Sequence, residues 1–232
     1  MKDSKITLTA IVPVFNEELF LNESLERLLK ISVIDEIIVV DDCSTDNSLK
    51  ILQKLTLKNK KIRIYRCNSN VGKGGAIKVA FKNITTDYVV IHDADLEYNP
   101  EDIYHLYNEI QQDKNKFVVG TRFTKESKPQ IYKRTYFANK FLSFLFSLTY
   151  GINVSDIATC YKLIPSSYLM NTSFTENGFA IEVELLAKFL SNNKNYSEIP
   201  ISYTARSYEE GKKIKFLDGL RYIFVIFKYK FI

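Results

Sequence analysis

Four short apolar runs, each ending abruptly in polar residues, constrain the fold of this chain more than any other feature. They occupy residues 6–14, 35–40, 62–65 and 88–91. Continuous apolar stretches rich in β-branched residues are typical of strands buried on both faces of a sheet. Helical patterns or helix-start signals follow the runs, so strand and helix alternate along the first half of the chain. This order predicts an α/β fold, with a Rossmann-like, mostly parallel, doubly wound sheet and helices on both faces.

The loops that follow these runs are polar or glycine-rich, and they occupy residues 15–18, 41–46, 68–75 and 93–95. Because the carboxyl ends of parallel strands lie at one edge of a sheet, we expect the four loops to form one site. Asp42 and Asp46 are expected to be turn and cap residues. The glycines at 72–75 fit two interpretations, a plain loop or a loop that lets a nucleotide approach the backbone.

An acidic pair, Asp93 and Asp95, closes the fourth apolar run. Two carboxylates one residue apart repel each other, and a hard divalent cation with oxygen ligands relieves that repulsion. An isolated D-x-D pattern is also compatible with a solvated loop. The surrounding motifs therefore have to decide between these two interpretations.

The composition is that of an ordinary globular protein, with 46% hydrophobic and 25% charged residues among 232. The net charge of +5 is unevenly distributed: residues 114–140 carry eight Lys or Arg against one acid, and residues 203–232 carry seven against three. We therefore expect basic, anion-binding segments after a more acidic first half. Three widely spaced cysteines without a C-x-x-C pattern favour a reducing, cytosolic setting over a disulfide framework or a zinc site.

Two stretches in the second half have wide apolar faces at helical spacing. They contain Phe137, Phe141, Phe144, Leu145 and Leu148, and then Phe216, Leu220, Ile223, Phe224, Phe227 and Phe231. Such a face packs in a core or lies at an interface, and we expect at least part of each to be core. The chain begins without the apolar segment of a signal peptide, and no stretch reaches the roughly 18 to 20 apolar residues of a membrane span. Any contact with a bilayer is therefore predicted to be peripheral.

The ordered motifs resemble those of family 2 glycosyltransferases with the GT-A fold. These motifs are IVPVFNEE at 11–18, VDDCSTD at 40–46, NVGKG at 70–74 and DAD at 93–95. Within that family the chain is similar to the dolichol-phosphate mannose synthase branch, through VGTR at 119–122, Asp156, Gly178-Phe179 with Glu182, and IPI at 199–201 ahead of Arg206. The resemblance covers residues 6 to 215 approximately.

The resemblance implies an inverting transferase that moves a hexose from a UDP- or GDP-sugar to a polyprenyl phosphate such as dolichyl or undecaprenyl phosphate. Mn²⁺ or Mg²⁺ would be the cofactor, with Asp93, Asp95 and Glu97 as ligands; the family commonly has Gln at the position of Glu97. The implied donor-binding residues are Pro13, Phe15, Glu17, Asp41, Lys73, Asp93, Ala94 and Asp95. The implied catalytic residues are Asp95, Arg122 and Asp156.

Charge supports a phosphate as the acceptor. A polyprenyl monophosphate is already largely anionic at neutral pH, so it needs cations to position it more than a general base, whereas a hydroxyl acceptor needs a carboxylate base. The candidate acceptor-phosphate cations are Arg122, Arg134, Arg206, Lys212 and Lys213. Asp156 keeps the hydroxyl alternative open.

One departure from the branch concerns residues 159–162, where Thr-Cys-Tyr-Lys replaces the common Ser-Gly-Phe-Arg, and a Lys lacks the fork of an Arg. A saccharide-hydroxyl acceptor in cell-surface polysaccharide synthesis and a non-catalytic nucleotide-sugar binder are the alternatives. A phosphatase that uses D-x-D is disfavoured, because its acidic pair would follow the first strand.

The predicted organisation is a single domain over 1–232. Residues 1–115 would form a nucleotide-sugar-binding half, residues 116–215 an acceptor-binding half and residues 216–232 an amphipathic C-terminal helix. The expected partners are the nucleotide sugar, the lipid phosphate and the surface of a membrane. The protein is expected to lie on the cytoplasmic face of that membrane. No nucleic acid is expected, and homo-oligomerisation is left open.

Overall fold

The computed structural model of the protein describes residues 5–113, 115–123, 132–206 and 216–231. Over these residues the chain forms one seven-stranded sheet in the order β3-β2-β1-β4-β6-β5-β7. The strands are β1 (Leu8–Val14), β2 (Glu36–Asp41), β3 (Ile62–Arg66), β4 (Tyr88–Ile91), β5 (Phe117–Thr121), β6 (Lys162–Pro165) and β7 (Tyr196–Pro200). The helices are α1 (Leu21–Leu29), α2 (Ser48–Lys58), α3 (Lys73–Phe81), α4 (Asp102–Gln112), α5 (Lys133–Tyr150), α6 (Ser166–Asn171), α7 (Ile181–Asn192) and α8 (Phe216–Phe231).

The first four strands confirm the predicted parallel sheet. β1 pairs in parallel with β2 on one side and with β4 on the other, and Ile11 lies opposite both Ile38 and Ile91. These side chains are fully buried. Since helices cover both faces of such a sheet, the strands carry apolar residues at nearly every position rather than at alternate ones. The carboxyl ends of β1 to β4 therefore lie at one edge, as predicted.

The second half of the sheet is mixed. β6 lies antiparallel between β4 and β5, and β7 pairs in parallel with β5. The sequence pattern predicted β5 but neither β6 nor β7, because β6 has four residues beginning with a lysine and β7 is only half-buried along its length. The pairing of β4 with β6 joins the two predicted halves of the chain in one sheet, and their functional division stays a prediction.

Helices α5 and α8 pack against each other, and the Tyr150 hydroxyl donates a hydrogen bond to the carbonyl of Ile226 at 3.0 Å. Part of each helix is core, as expected, through buried residues such as Phe146 and Val225. Most of the predicted apolar stripe nevertheless faces solvent, with 40% to 79% of each side chain exposed. Leu217, outside the predicted stripe, is exposed as well, and we call the exposed apolar residues of the two helices the apolar face: Phe137, Phe141, Phe144, Leu148, Leu217, Leu220, Phe224, Phe227 and Phe231.

Among the described helices, none combines the length and the apolar character that crossing a bilayer requires.

Candidate active site

The strands at the predicted edge are followed by sharp backbone turns. Asn16 follows β1 with a φ of 52°, Cys43 follows β2 with 61° and Leu96 follows β4 with 62°. A residue other than glycine in this left-handed region costs about 1 to 3 kcal/mol, and such strain clusters at functional sites. Gly72, ahead of α3, also has a positive φ of 83°. Each of these loops therefore contains a backbone turn that an extended strand could not make.

Hydrogen bonds tie these loops to one another. The Thr45 amide donates to Asn16 Oδ1 at 2.8 Å, which joins the loops after β1 and β2. The amides of Val71 and Gly72 donate to the two carboxylate oxygens of Asp42 at 2.7 and 2.8 Å. The Asp42 carboxylate thus fixes the entry to α3, a contact between distant loops rather than the local turn role that was predicted.

The glycines at the start of α3 allow a close approach by the chain itself. A Cβ atom at Gly72 would lie 2.5 Å from the carbonyl oxygen of Asn177, and one at Gly74 would lie 2.5 Å from that of Glu176. The loop at 176–178 thus packs directly against the first turn of α3. This contact accounts for two of the glycines without a nucleotide, and it sets the position of Lys73 between them.

Lys73 lies at the centre of a buried chain of charges. Its Nζ is 2.8 Å from Asp93 Oδ1 and 2.9 Å from Glu182 Oε1. The other oxygen of Glu182 is 2.8 Å from Nζ of Lys162, whose side chain is fully buried. Asp93 therefore connects through Lys73 and Glu182 to Lys162, which belongs to the stretch 159–162 where the sequence departs from the branch that it resembles.

Arg206 provides the second cationic contact with the acidic pair. Its guanidinium lies 3.0 Å from Glu17 and 3.0 Å from Asp95. The backbone amide of Arg206 donates to Glu97 Oε1 at 2.8 Å, and the Tyr203 hydroxyl donates to Glu97 Oε2 at 2.7 Å. Segment 203–206 is thereby held over the end of β4.

Among the described residues, these contacts define an acidic cluster of five carboxylates that faces three cations. The carboxylates are Glu17, Asp93, Asp95, Glu97 and Glu182, and the cations are Lys73, Lys162 and Arg206. Fully ionised, these groups have a net charge of −2. Burial, Asp93 and Glu97 together raise the pKa of Asp95 to about 7. Burial also opposes ionisation of Asp93, but the adjacent Lys73 outweighs it and lowers the pKa of Asp93.

The acidic cluster fits a divalent cation in charge and in ligand chemistry. Carboxylate oxygens are hard ligands, and a deficit of two positive charges matches Mn²⁺ or Mg²⁺. The fit is incomplete in geometry, since within the described ranges no three carboxylate, imidazole or thiol side chains are grouped as a metal ion would require. Asp93 and Asp95 lie at the predicted place, whereas both oxygens of Glu97 accept hydrogen bonds from segment 203–206. Their roles as ligands stay predictions.

Arg122 and Asp156, both expected to be catalytic, form a buried ion pair. Arg122 Nε and Nη2 donate to the two carboxylate oxygens of Asp156 at 2.7 and 2.8 Å, and the Arg122 amide adds a third bond at 3.1 Å. Asp156 is fully buried. Both carboxylate oxygens of Asp156 are engaged by one arginine, which favours a positioning role for this carboxylate over that of a general base, and the catalytic roles of Arg122 and Asp156 stay predictions.

The remaining predicted residues are distributed around this centre. Pro13 and Phe15 are half-buried at the end of β1, and Ala94 is buried between the two aspartates. Asp41 is fully buried at the end of β2. The half-exposed Arg66 side chain forms an ion pair with it, with Nε 3.1 Å from Asp41 Oδ2. Arg134 is exposed in the first turn of α5.

Lys212 and Lys213, the two other candidate acceptor cations, lie outside the described residues.

Sequence reasoning missed the roles of Lys162 and Tyr203. The signal for Lys162 was present, because a lysine that opens an otherwise apolar strand requires a buried acid as its partner. Tyr203 had no comparable signal. Its ring lies under the Arg122 guanidinium at 4.7 Å while its hydroxyl reaches Glu97, so it links the ion pair to the acidic cluster.

Comparison of the sequence with known proteins finds glycosyltransferases. The model of glycosyl transferase family 2 matches residues 9–172. The UDP-N-acetylglucosamine–dolichyl-phosphate N-acetylglucosaminyltransferase of Methanococcus voltae is 28% identical over 92% of this chain and 92% of its own length. The undecaprenyl-phosphate 4-deoxy-4-formamido-L-arabinose transferase of Proteus mirabilis is 26% identical over 88% of this chain, which spans 62% of that enzyme.

A solved structure supports the fold. Glucosyl-3-phosphoglycerate synthase from Mycobacterium tuberculosis, in complex with Mn²⁺ and UDP-glucose, superposes with a TM-score of 0.77 at 16% identity. The match covers 98% of this chain and 80% of that chain, which confirms the predicted GT-A fold. Since the family model extends over more than half of the sequence and the motifs it contains build the site at the edge of the sheet, the protein belongs to glycosyltransferase family 2.

Proposed function

We propose that this glycosyltransferase moves a hexose from a UDP- or GDP-sugar to a polyprenyl phosphate, with inversion, at the cytoplasmic face of a membrane. The observation that carries the donor part is the acidic cluster at the carboxyl edge of β1 to β4, which among the described residues contains two more carboxylates than cations. Mn²⁺ or Mg²⁺, held by Asp93 and Asp95, would neutralise the charge that develops on a departing nucleoside diphosphate. Pro13, Phe15, Glu17 and Asp41 would line the nucleoside side of the same edge.

The state of Asp156 supports a phosphate acceptor. A hydroxyl acceptor needs a carboxylate that can take its proton, whereas the carboxylate of Asp156 is buried and engaged by Arg122. A phosphate monoester brings its own negative charge and requires cations to position it. Arg206 lies at the acidic cluster and Arg134 is exposed on α5. The two transferases from M. voltae and P. mirabilis are both named for polyprenyl-phosphate acceptors.

The apolar face supports action on a lipid at a membrane surface. Monomeric soluble proteins rarely expose large contiguous apolar patches, and those that do commonly use them to bind membranes or other proteins. Exposed Lys133, Arg134 and Lys230 lie on the same two helices as this face. Basic residues near an anionic bilayer contribute about 1 kcal/mol each to binding.

The direct test of the proposed reaction is a transfer assay. Purified protein with Mn²⁺ or Mg²⁺, radiolabelled UDP- and GDP-hexoses and undecaprenyl or dolichyl phosphate should give a product that extracts into organic solvent. Chelation of the metal should abolish the product. Label transferred only to a saccharide hydroxyl would contradict the lipid acceptor and support the alternative of polysaccharide synthesis.

Vesicle flotation tests the membrane contact. Replacing Phe141 and Phe224 by Ser should lower binding to anionic vesicles by about tenfold or more, because two aromatic side chains would no longer be removed from water. The matched control is Leu57→Ser, which removes a highly exposed apolar side chain from α2, outside the apolar face. Equal binding of both variants would show that this face does not contact the bilayer.

A further inference from the structure

Both carboxylate oxygens of Glu97 accept hydrogen bonds from the chain itself. One carboxylate oxygen accepts the Tyr203 hydroxyl at 2.7 Å and the other accepts the Arg206 amide at 2.8 Å. The Glu97 carbonyl also accepts the Thr204 amide at 3.0 Å, and Tyr98 forms an antiparallel bridge with Tyr203. A glutamine has only one side-chain acceptor oxygen, so a carboxylate suits these two donors better.

Segment 203–206 carries a cation to the acidic pair. The two terminal nitrogens of Arg206 lie 3.0 Å from Glu17 and 3.0 Å from Asp95, and the guanidinium lies 5.7 Å from the centre of the Phe20 ring. The arginine side chain is only 10% exposed. The guanidinium thus contacts the same Asp95 carboxylate that the proposed function assigns to a divalent cation.

We infer that Glu97 is a positioning residue, which holds the segment from Tyr203 to Arg206 so that Arg206 acts as an internal counter-cation for Asp95 and competes with a divalent cation for it. This inference rests on the proposed metal site and deepens it. Competition follows from charge, since two cations that approach one buried carboxylate repel each other. Displaced from Asp95, the guanidinium would be available to an anionic group nearby.

Mn²⁺ binding without nucleotide tests the inference on the full chain by isothermal titration calorimetry. Arg206→Gln should bind Mn²⁺ about tenfold more tightly than the unmodified protein, because the ion no longer has to break a charge-assisted hydrogen bond. Arg206→Lys, which keeps the charge, should bind with an affinity closer to that of the unmodified protein. Lys116→Gln removes one positive charge from a partly buried pair with Glu109, away from the acidic cluster, and controls for net charge.

Tyr203→Phe isolates the contribution of Glu97, since it removes one hydrogen bond to Glu97 and leaves every charge in place. If Glu97 positions Arg206, this variant should also bind Mn²⁺ more tightly, by roughly twofold to fivefold. A merely structural role would lower the melting temperature without tightening Mn²⁺ binding, and that result would overturn the inference. A Glu97→Gln variant that loses Mn²⁺ affinity tenfold, beside a Tyr203→Phe variant that does not change, would overturn it by making Glu97 a ligand.

Thermal unfolding gives a second readout. Arg206→Gln should melt at a lower temperature without metal, because Glu17 and Asp95 lose their ion pairs with Arg206, and Mn²⁺ should raise its melting temperature more than that of the unmodified protein. An absence of Mn²⁺ binding in every variant would overturn the inference. The expected Mn²⁺ affinities together with no transfer from any nucleotide sugar would overturn the proposed function alone.

Discussion

Two buried groups of charge lie on either side of Tyr203, and they are built differently. In the Arg122–Asp156 pair one cation meets one carboxylate through two parallel hydrogen bonds. In the acidic cluster five carboxylates meet three cations, and Asp95 is held so unfavourably that its pKa rises to about 7. Within the part of the chain that the structure describes, the pair is balanced in charge, whereas the acidic cluster has two more carboxylates than cations.

The difference separates structural charge from charge that requires a ligand. A buried pair with balanced charge costs stability mainly when one partner is removed and the other is left uncompensated. A buried cluster with excess charge already carries such a cost in the folded protein. Removing one of its acids should therefore affect activity much more than folding, and the opposite should hold for the pair.

Replacing Asp156 should have the largest effect on stability. Asp156→Asn leaves the buried Arg122 guanidinium without its counter-charge, which should lower the free energy of unfolding by about 3 to 5 kcal/mol and the melting temperature by about 10 °C. Chemical denaturation measures this loss. The double variant Arg122→Met, Asp156→Leu should recover most of the stability, since an apolar pair of similar volume leaves no charge unpaired. Unchanged stability with abolished turnover would instead make Asp156 a catalytic base. The ion pair and the acidic cluster would then no longer differ in the way described.

Replacing Asp95 should have the largest effect on activity. Asp95→Asn should lower the rate of transfer by about 100-fold to 1000-fold, because it removes a group that organises charge stabilisation of the leaving group. The free energy of unfolding without metal should not fall, since the variant removes one of the excess negative charges. Asp113→Asn provides a control, because Asp113 is a partly buried acid that accepts a hydrogen bond from Asn195, away from the site. If Asp95→Asn lost as much stability as Asp156→Asn, the negative charge of the acidic cluster would have to be neutralised already in the folded protein.

The first turn of α3 provides a smaller test of how the acidic cluster is assembled. Gly74→Ala places a Cβ atom 2.5 Å from the carbonyl oxygen of Glu176, so we expect a loss of about 1 to 3 kcal/mol in stability and weaker transfer as Lys73 shifts. Gly178→Ala lies in the opposing loop with no atom within 4 Å of the added Cβ and should change stability by less than about 0.5 kcal/mol. Equal effects in urea denaturation would mean that this contact does not position Lys73.

The parallel half of the sheet could be predicted from residues close together in the chain. Runs such as 88–91 are buried on both faces, so their composition alone distinguishes them from surface strands. The short β6 is fully buried too, but Lys162 occupies one of its four positions, so its composition does not reveal that burial. Its burial became understandable only when Glu182, twenty residues further along, was found at 2.8 Å.

The sequence by itself determined the α/β class, the edge of the sheet at which the loops meet and the acidic pair that closes β4, because these features depend on local composition and on the order of elements. Only the tertiary structure decided which cation faces which acid. Arg206 and Asp95 are 111 residues apart, and Arg122 and Asp156 are 34 apart. Pairing over such distances depends on how loops pack at the edge of the sheet, since any of the basic residues could in principle neutralise any of the acids. The same packing made one carboxylate, Asp156, part of a balanced pair and placed another, Asp95, in a cluster whose carboxylates outnumber its cations over the described ranges.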